Sequence, residues 1–227
     1  MSNEQILFNT CVFFTSEKWW RPIISFVYSN NDVFKSEDSN NQNNLLNNSQ
    51  KKCFTHEQYA KFIDFSNMVV DLIDKNLCFT LGIKPKMLEN ILFATYEEGN
   101  IQTHVLIDTL QKTMDFFDFK EEMSRCCSRT EELINEAIIE VTSSLSKDIN
   151  INDPDILAKR VAETTQDKIN QEINSLIDKG CRQMRALLNI DVIQRDTSRS
   201  PSKRPIPKKP SPHKEDVIKN DDSNDYK

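Results

Sequence analysis

Apolar side chains recur along this chain at helical spacing, in blocks separated by polar stretches. The strongest block is 105–123. Leu106, Leu110, Met114 and Phe117 fall there at i, i+4, i+8 and i+11, and Phe116, Phe119 and Met123 fill the flank of the same stripe. That arc is wider than one neighbouring helix covers, so the spacing predicts a helix inside a bundle or along a groove. A well-packed core helix is the plainer reading of the same pattern. Phe116, Phe117 and Phe119 cannot all face one core, because adjacent helix positions turn about 100°, so two of them are expected inside.

Upstream, residues 4–34 predict two short helices. The first carries Ile6, Phe13 and Phe14; a turn follows over Ser16–Trp20, and the second opens at Pro22 with Ile23, Ile24, Phe26 and Val27 behind it. Thr55-His56-Glu57-Gln58 has the spacing of a capping box and opens a long helix, with Tyr59, Phe62, Ile63, Val69, Val70, Ile73 and Leu77 on its apolar side and Gly82 as its stop. His56 then sits on the surface of the first turn. Lys84-Pro85 starts a shorter helix with Met87, Leu88, Ile91 and Leu92 inward, ending near Gly99-Asn100. Beyond Arg125 the helices become charged and poor in aromatics. Leu133, Ala137, Val141 and Leu145 make one stripe; Asp153-Pro154 is an N-cap with proline at N1; Leu157, Val161, Ile169, Ile173 and Ile177 make a second stripe, interrupted by Thr165. These two helices predict a hairpin, laid on the preceding domain or paired with another chain as a coiled coil.

Composition narrows the class. Only Gly82, Gly99 and Gly180 are glycine in 227 residues, which excludes turn-rich β folds and glycine-rich phosphate loops. No apolar run approaches the roughly 20 residues of a membrane span, and the reading is a cytoplasmic protein without membrane insertion. The six cysteines show no C-x-x-C pair and no histidine at ligand spacing, so they read as reduced thiols, Cys126 and Cys127 included. Ser39–Lys52 holds six asparagines and two glutamines in fourteen residues and reads as a disordered insert within a folded domain. Asn47-Asn48-Ser49 has the form of a glycosylation sequon, which a cytoplasmic chain does not use. Five of the eight prolines lie in residues 191–227, a tail expected to be disordered. Between Arg195 and Lys214 seven bases meet one acid, a net +6 in a chain whose total is -6, which leaves -12 on the remainder. An acidic body does not seek nucleic acid. Within the tail, Pro207-Lys208-Lys209-Pro210 has the P-x-x-P form of SH3 ligands and the basic cluster has the composition of a nuclear-import address; a solubilising tail is the simpler reading of both.

The order of landmarks is more specific than any of them alone. Trp19-Trp20 precedes Pro22-Ile23-Ile24-Ser25-Phe26-Val27; Asp32-Val33-Phe34 is followed by the acids Glu37 and Asp38; Phe54-Thr55 opens the long helix and Gly82-Ile83 ends it; Asp115-Phe116-x-x-Phe119-Lys120 with Met123 comes last. This order resembles the BART domain, found in binders of Arf-like small GTPases, and most nearly its ciliary branch, the type of cilia- and flagella-associated protein 36. The resemblance covers residues 3–129. It departs in the asparagine-rich insert, which stands where the family has a short acidic link, and in the hairpin after Arg129, which has no aligned counterpart.

The resemblance implies an all-α, multi-helix bundle over residues 1–129, and because it matches Phe116 and Phe119 and leaves position 117 variable, Phe117 is expected to be the least structural of the three; the pattern of the residues adds a helical hairpin or coiled-coil extension over 130–190 and the tail over 191–227. It implies no catalytic residue, no cofactor and no metal. The implied partner is an Arf-like small GTPase in its GTP state, whose N-terminal amphipathic helix enters an apolar groove. On this sequence the groove is expected from Phe62, Ile63 and Val70 on the long helix, Leu88 on the next, and Leu110, Met114, Phe117 and Met123 on the aromatic block. The implied location is the cytoplasm of a cilium or flagellum, with the nucleus as the alternative that the tail offers.

A rival from another class is a coiled-coil scaffold associated with the axoneme or cytoskeleton, built on the hairpin. An enzyme is disfavoured, because His56, His104 and His213 stand apart and no nucleophile, metal or paired-acid motif accompanies them. Because loop length enters closure entropy only logarithmically, deleting residues 39–52 is expected to leave the melting temperature nearly unchanged. A drop of several degrees in a thermal melt would show that the insert is folded onto the domain.

Overall fold

The computed structural model describes residues 1–35, 54–145 and 154–190, and every regular element among them is helical. In chain order these are α1 (Asn3–Phe14), α2 (Glu17–Ser29), a 3-10 turn (Asn31–Phe34), α3 (His56–Asp71), a π-helical stretch (Leu72–Cys78) running into a last turn α4 (Phe79–Leu81), α5 (Pro85–Glu97), α6 (Ile101–Thr113), α7 (Phe116–Leu145) and α8 (Pro154–Leu188). The asparagine-rich insert, the acids Glu37 and Asp38, the N-cap expected at Asp153, and the tail lie outside the described residues, as does the side chain of Leu145.

Several boundaries follow from single residues. Thr55 Oγ1 accepts from the Gln58 N–H at 3.1 Å while Gln58 Oε1 accepts from the Thr55 N–H at 3.2 Å, the reciprocal capping box read from the sequence. Gly82 ends the same rod with φ +63, a left-handed conformation that side chains disfavour. Pro85 stands at the first position of α5, and Asn100 Oδ1 caps α6 by accepting from the Thr103 N–H at 3.0 Å.

Two expectations are corrected. The second helix begins at Glu17, with Ser16 as its N-cap, so Trp19 and Trp20 lie in its opening turn and Pro22 inside it. Proline at that position removes one bond to the carbonyl four residues back. Burial of Trp19 against Phe14 and Phe13, ring centroids 4.3 and 6.0 Å away, outweighs that loss. The aromatic block, in turn, is two helices rather than one. Asp115 Oδ1 accepts from the N–H groups of Phe117 at 2.8 Å and Asp118 at 2.9 Å, so it starts α7 afresh where α6 has ended at Met114.

Helix α1 is apolar almost all round, with Ile6, Leu7, Cys11, Phe13 and Phe14 buried, and it packs on α2, α5, α6 and α8 as the centre of the bundle. Helix α7 runs without a break through position 129 and carries Met123, Cys126 and Cys127 into the core before leaving with Leu133, Ala137 and Val141 turned to α8. Asn31 Nδ2 ties the 3-10 turn to α7 through Thr130 Oγ1 and Cys126 Sγ, both at 3.0 Å. Helix α8 returns antiparallel and packs on α2, with Ile177, Gly180, Cys181, Met184 and Leu188 buried, so its C-terminal half is laid on the domain. Gln102 Nε2 donates to the Leu188 carbonyl at 2.8 Å and Arg21 Nη1 to Asn174 Oδ1 at 3.1 Å.

The five described cysteines are free and buried, and burial raises each thiol pKa, that of Cys11 to about 12. They are protonated packing groups at neutral pH.

Gly180 decides how closely α8 approaches α2. A β-carbon there would stand 2.7 to 2.9 Å from the Trp20 ring. On an exposed helix, glycine to alanine gains up to about 1 kcal/mol. Here overpacking costs about 1–3 kcal/mol and wins. Gly180→Ala is expected to lower the melting temperature by several degrees; a rise in a thermal scan would mean that α8 does not rest on α2 in solution.

Candidate partner-binding face

The apolar positions of α3 grade from core to surface in three adjacent stripes. Phe65, Val69 and Leu72 are buried; Phe62, Ser66 and Ile73 are half-buried; Tyr59, Ile63 and Val70 stand outward, Val70 at 48 % exposed. One seam with the core needs only the first stripe. The middle stripe is interrupted at Ser66, whose covered Oγ has no hydrogen-bond partner among the described residues, as is also true of the indole N–H groups of Trp19 and Trp20.

The start of α7 meets α3 through stacked rings. Phe119 is buried, with Phe65 at 4.7 Å, Phe62 at 5.5 Å and Phe34 at 5.7 Å between centroids. Phe116, half-buried, lies one layer further out and touches Phe54 at 4.9 Å, Phe62 at 5.3 Å, Phe117 at 5.6 Å and Tyr59 at 5.7 Å. The outermost rings are Phe54 at 51 % and Phe117 at 45 % exposed. Aromatic packing thus continues from the core to solvent along one line. On the surface side it leaves an apolar face made by the first turns of α3 and α7 and continued along α3 by Ile63 and Val70.

The eight residues expected to line a groove separate into three groups. Phe62 and Phe117 are joined through Phe116, and Ile63 and Val70 continue the exposed edge of α3. Leu110 on α6 and Met114 at its C-cap are half-buried against the same core. Leu88 and Met123 are buried within the closed bundle and present no surface to a partner as the helices stand. Phe54, Tyr59 and Phe116 belong to the face and were not among those expected. The capping box carried the signal for two of them, since Phe54 precedes the cap Thr55 and Tyr59 is the fourth helical residue, the pair that forms a hydrophobic staple; their rings are 5.8 Å apart.

No metal centre competes with this face: among the described residues no three His, Cys, Asp or Glu side chains are grouped to hold an ion, and no helix is long and apolar enough to cross a membrane. His104 is stacked on Tyr96 at 4.0 Å, and His56 lies exposed in the first turn of α3.

The family described as the ARF-like 2 binding protein BART matches residues 2–132, more than half of the chain, and the chain belongs to it. No curated protein and no solved structure matches. The match takes in the whole of the apolar face and ends within α7, before the far end of the hairpin.

Truncation separates the two layers of rings. Phe119→Ala is expected to cost about 3–5 kcal/mol of folding stability and Phe117→Ala less than about 1 kcal/mol. Chemical denaturation of both variants checks this, and equal losses would place Phe117 in the core.

Proposed function

We propose that this protein is a binding module, without catalysis of its own, that recognises a GTP-loaded Arf-like small GTPase through the face formed by Phe54, Tyr59, Phe62, Ile63, Val70, Phe116 and Phe117. The observation that carries the reading is the surplus of apolar surface on α3 and at the start of α7, lying wholly inside the residues that match a family described by its binding to an Arf-like protein. An amphipathic helix laid along this face presents leucines at i, i+3, i+4 and i+7 to a strip of the same period, and the half-buried Leu110 and Met114 widen the strip if α6 shifts outward. Glu57, Asp64 and Asp71 on α3, against the single Lys61 along the same helix, favour a ligand helix bearing lysines. Nucleotide dependence follows because the GTPase makes its helix available in one state, and a ligand discriminates states only by its difference in affinity for them. The resemblance to the ciliary branch of the family supports a cytoplasmic site of action at a cilium or flagellum.

The test is titration of the full chain with ARF-like 2 and other Arf-like GTPases carrying GTP or GDP analogues. At least a tenfold preference for the GTP form is expected, about 1.4 kcal/mol, and Phe117→Ala or Val70→Ala should weaken binding by about 1–3 kcal/mol without lowering the melting temperature. Superimposable curves for the two nucleotide states would sink the reading.

A further inference from the structure

We propose that the proline-rich basic segment 201–212 of this chain docks on the aromatic face of its own bundle, over Phe54, Tyr59, Phe116 and Phe117, and competes there with the incoming partner helix. The contact needs no GTPase; the competition rests on the recognition proposed above.

The face suits one kind of peptide. Phe54, Tyr59 and Phe117 are exposed, and Phe116 joins them, its centroid 4.9 Å from Phe54, 5.7 Å from Tyr59 and 5.6 Å from Phe117. Among the described residues the other exposed rings do not cluster: Phe79 and Phe93 lie against no other ring, and Tyr96 against His104 alone. A patch of several aromatic rings takes proline rings well, and a proline-rich backbone is already restricted, so it loses little entropy on docking. Segment 201–212 holds five prolines in twelve residues, with Lys203, Arg204, Lys208 and Lys209 between them and no acid. In the left-handed helix that such a composition favours, residues three apart share an edge and are separated by about 9 Å. Pro207 and Pro210 therefore match the step from Phe117 across Phe116 to the Phe54–Tyr59 pair. Lys208 and Lys209 fall on the other two edges, where carboxylates are at hand. Asp118 and Glu121 are exposed beside Phe117, one residue and one turn along α7, and neither has an ion-pair partner among the described residues, whereas Glu122 is held by Arg125.

The chain also leaves the bundle at the right end. Helices α7 and α8 run antiparallel, and Glu122 and Gln183 line one cavity between them. Phe117 and Leu188 each lie five residues further on, about 7.5 Å by helix rise, so the last turn of α8 stands level with the aromatic face. Residues 191–200 extend up to about 35 Å, enough to pass two helices before Pro201 is reached. A tether of that length holds the segment at about millimolar effective concentration. A contact of only about 0.3 mM is then closed in about three molecules of four, and a rival for the face binds about fourfold more weakly.

The experiment is zero-length cross-linking of the full chain with a carbodiimide, which joins lysine amines to carboxylates in contact, with the linked residues read by mass spectrometry. Lys208 and Lys209 are expected to link to Asp118 and Glu121. Pro205→Ala, Pro207→Ala and Pro210→Ala in one chain keep every charge and should reduce these links at least about threefold, and Phe117→Ala should do the same from the other side of the contact. In a mixture of isotopically light and heavy chains the links should stay within one isotope. In the GTPase titration the triple variant should bind about fourfold more tightly than the unsubstituted chain. Links spread over Glu132, Glu136 and Glu140 of the hairpin, links only between two copies, or a triple variant that keeps the original links or the original affinity overturns the proposal. Links at Asp118 and Glu121 in a chain that binds no GTPase would leave the docked segment standing and sink the recognition instead.

Discussion

Phe119 is the ring on which the bundle turns. Through Phe34, Phe62 and Phe65 it gathers the 3-10 turn, α3 and α7 into one aromatic stack. Its inward direction depends on Asp115, because the side-chain oxygen that caps Phe117 and Asp118 sets where α7 starts and therefore the phase of every residue after it. With that phase, Phe119 and Met123 point inward and Phe117 outward. A continuous helix through Met114 would hold Leu106 and Phe119 on a single axis, whereas the break lets them enter the same core from two directions.

The second constraint is steric. Trp20 rests on the bare backbone of Gly180, and the gap left by the missing side chain brings α8 down onto α2. From that contact follow the burial of Met184 and Leu188 and the bond from Gln102 to the Leu188 carbonyl. The C-terminal half of α8 is thereby part of the same core as α1, although the family match stops at residue 132. Helix α7 serves both regions: its first half closes the bundle, and its second half is the spine of the hairpin.

These contacts leave apolar surface uncovered in two places. At the bundle end the uncovered surface is aromatic and continuous with the core, so a helix docking there extends packing that already exists. At the hairpin end it is aliphatic and flanked by small residues. The two differ because α3 and α7 have neighbours on only part of wide apolar arcs, and each arc is left open in a different place.

Much of this was legible in the residues. Four-residue spacing, the capping box at Thr55, the stop at Gly82 and the prolines at 85 and 154 determine helices by local chemistry, whereas the single wide arc read over residues 105–123 does not exist, because Asp115 divides that block between α6 and α7. That the three phenylalanines cannot share one face was legible too, from the turn of about 100° per residue, whereas placing Phe117 last came from the resemblance, which matches Phe116 and Phe119. What the chain alone left open was decided by contacts between distant segments. Leu88 and Met123 share the periodicity of Ile63 and Val70, yet only the neighbours that α1 and α3 bring to them put them in the core. Trp20 and Gly180 lie 160 positions apart, and nothing local to either shows that one needs the other's missing side chain. Periodicity says which side of a helix is apolar; the fold says how much of that side is covered.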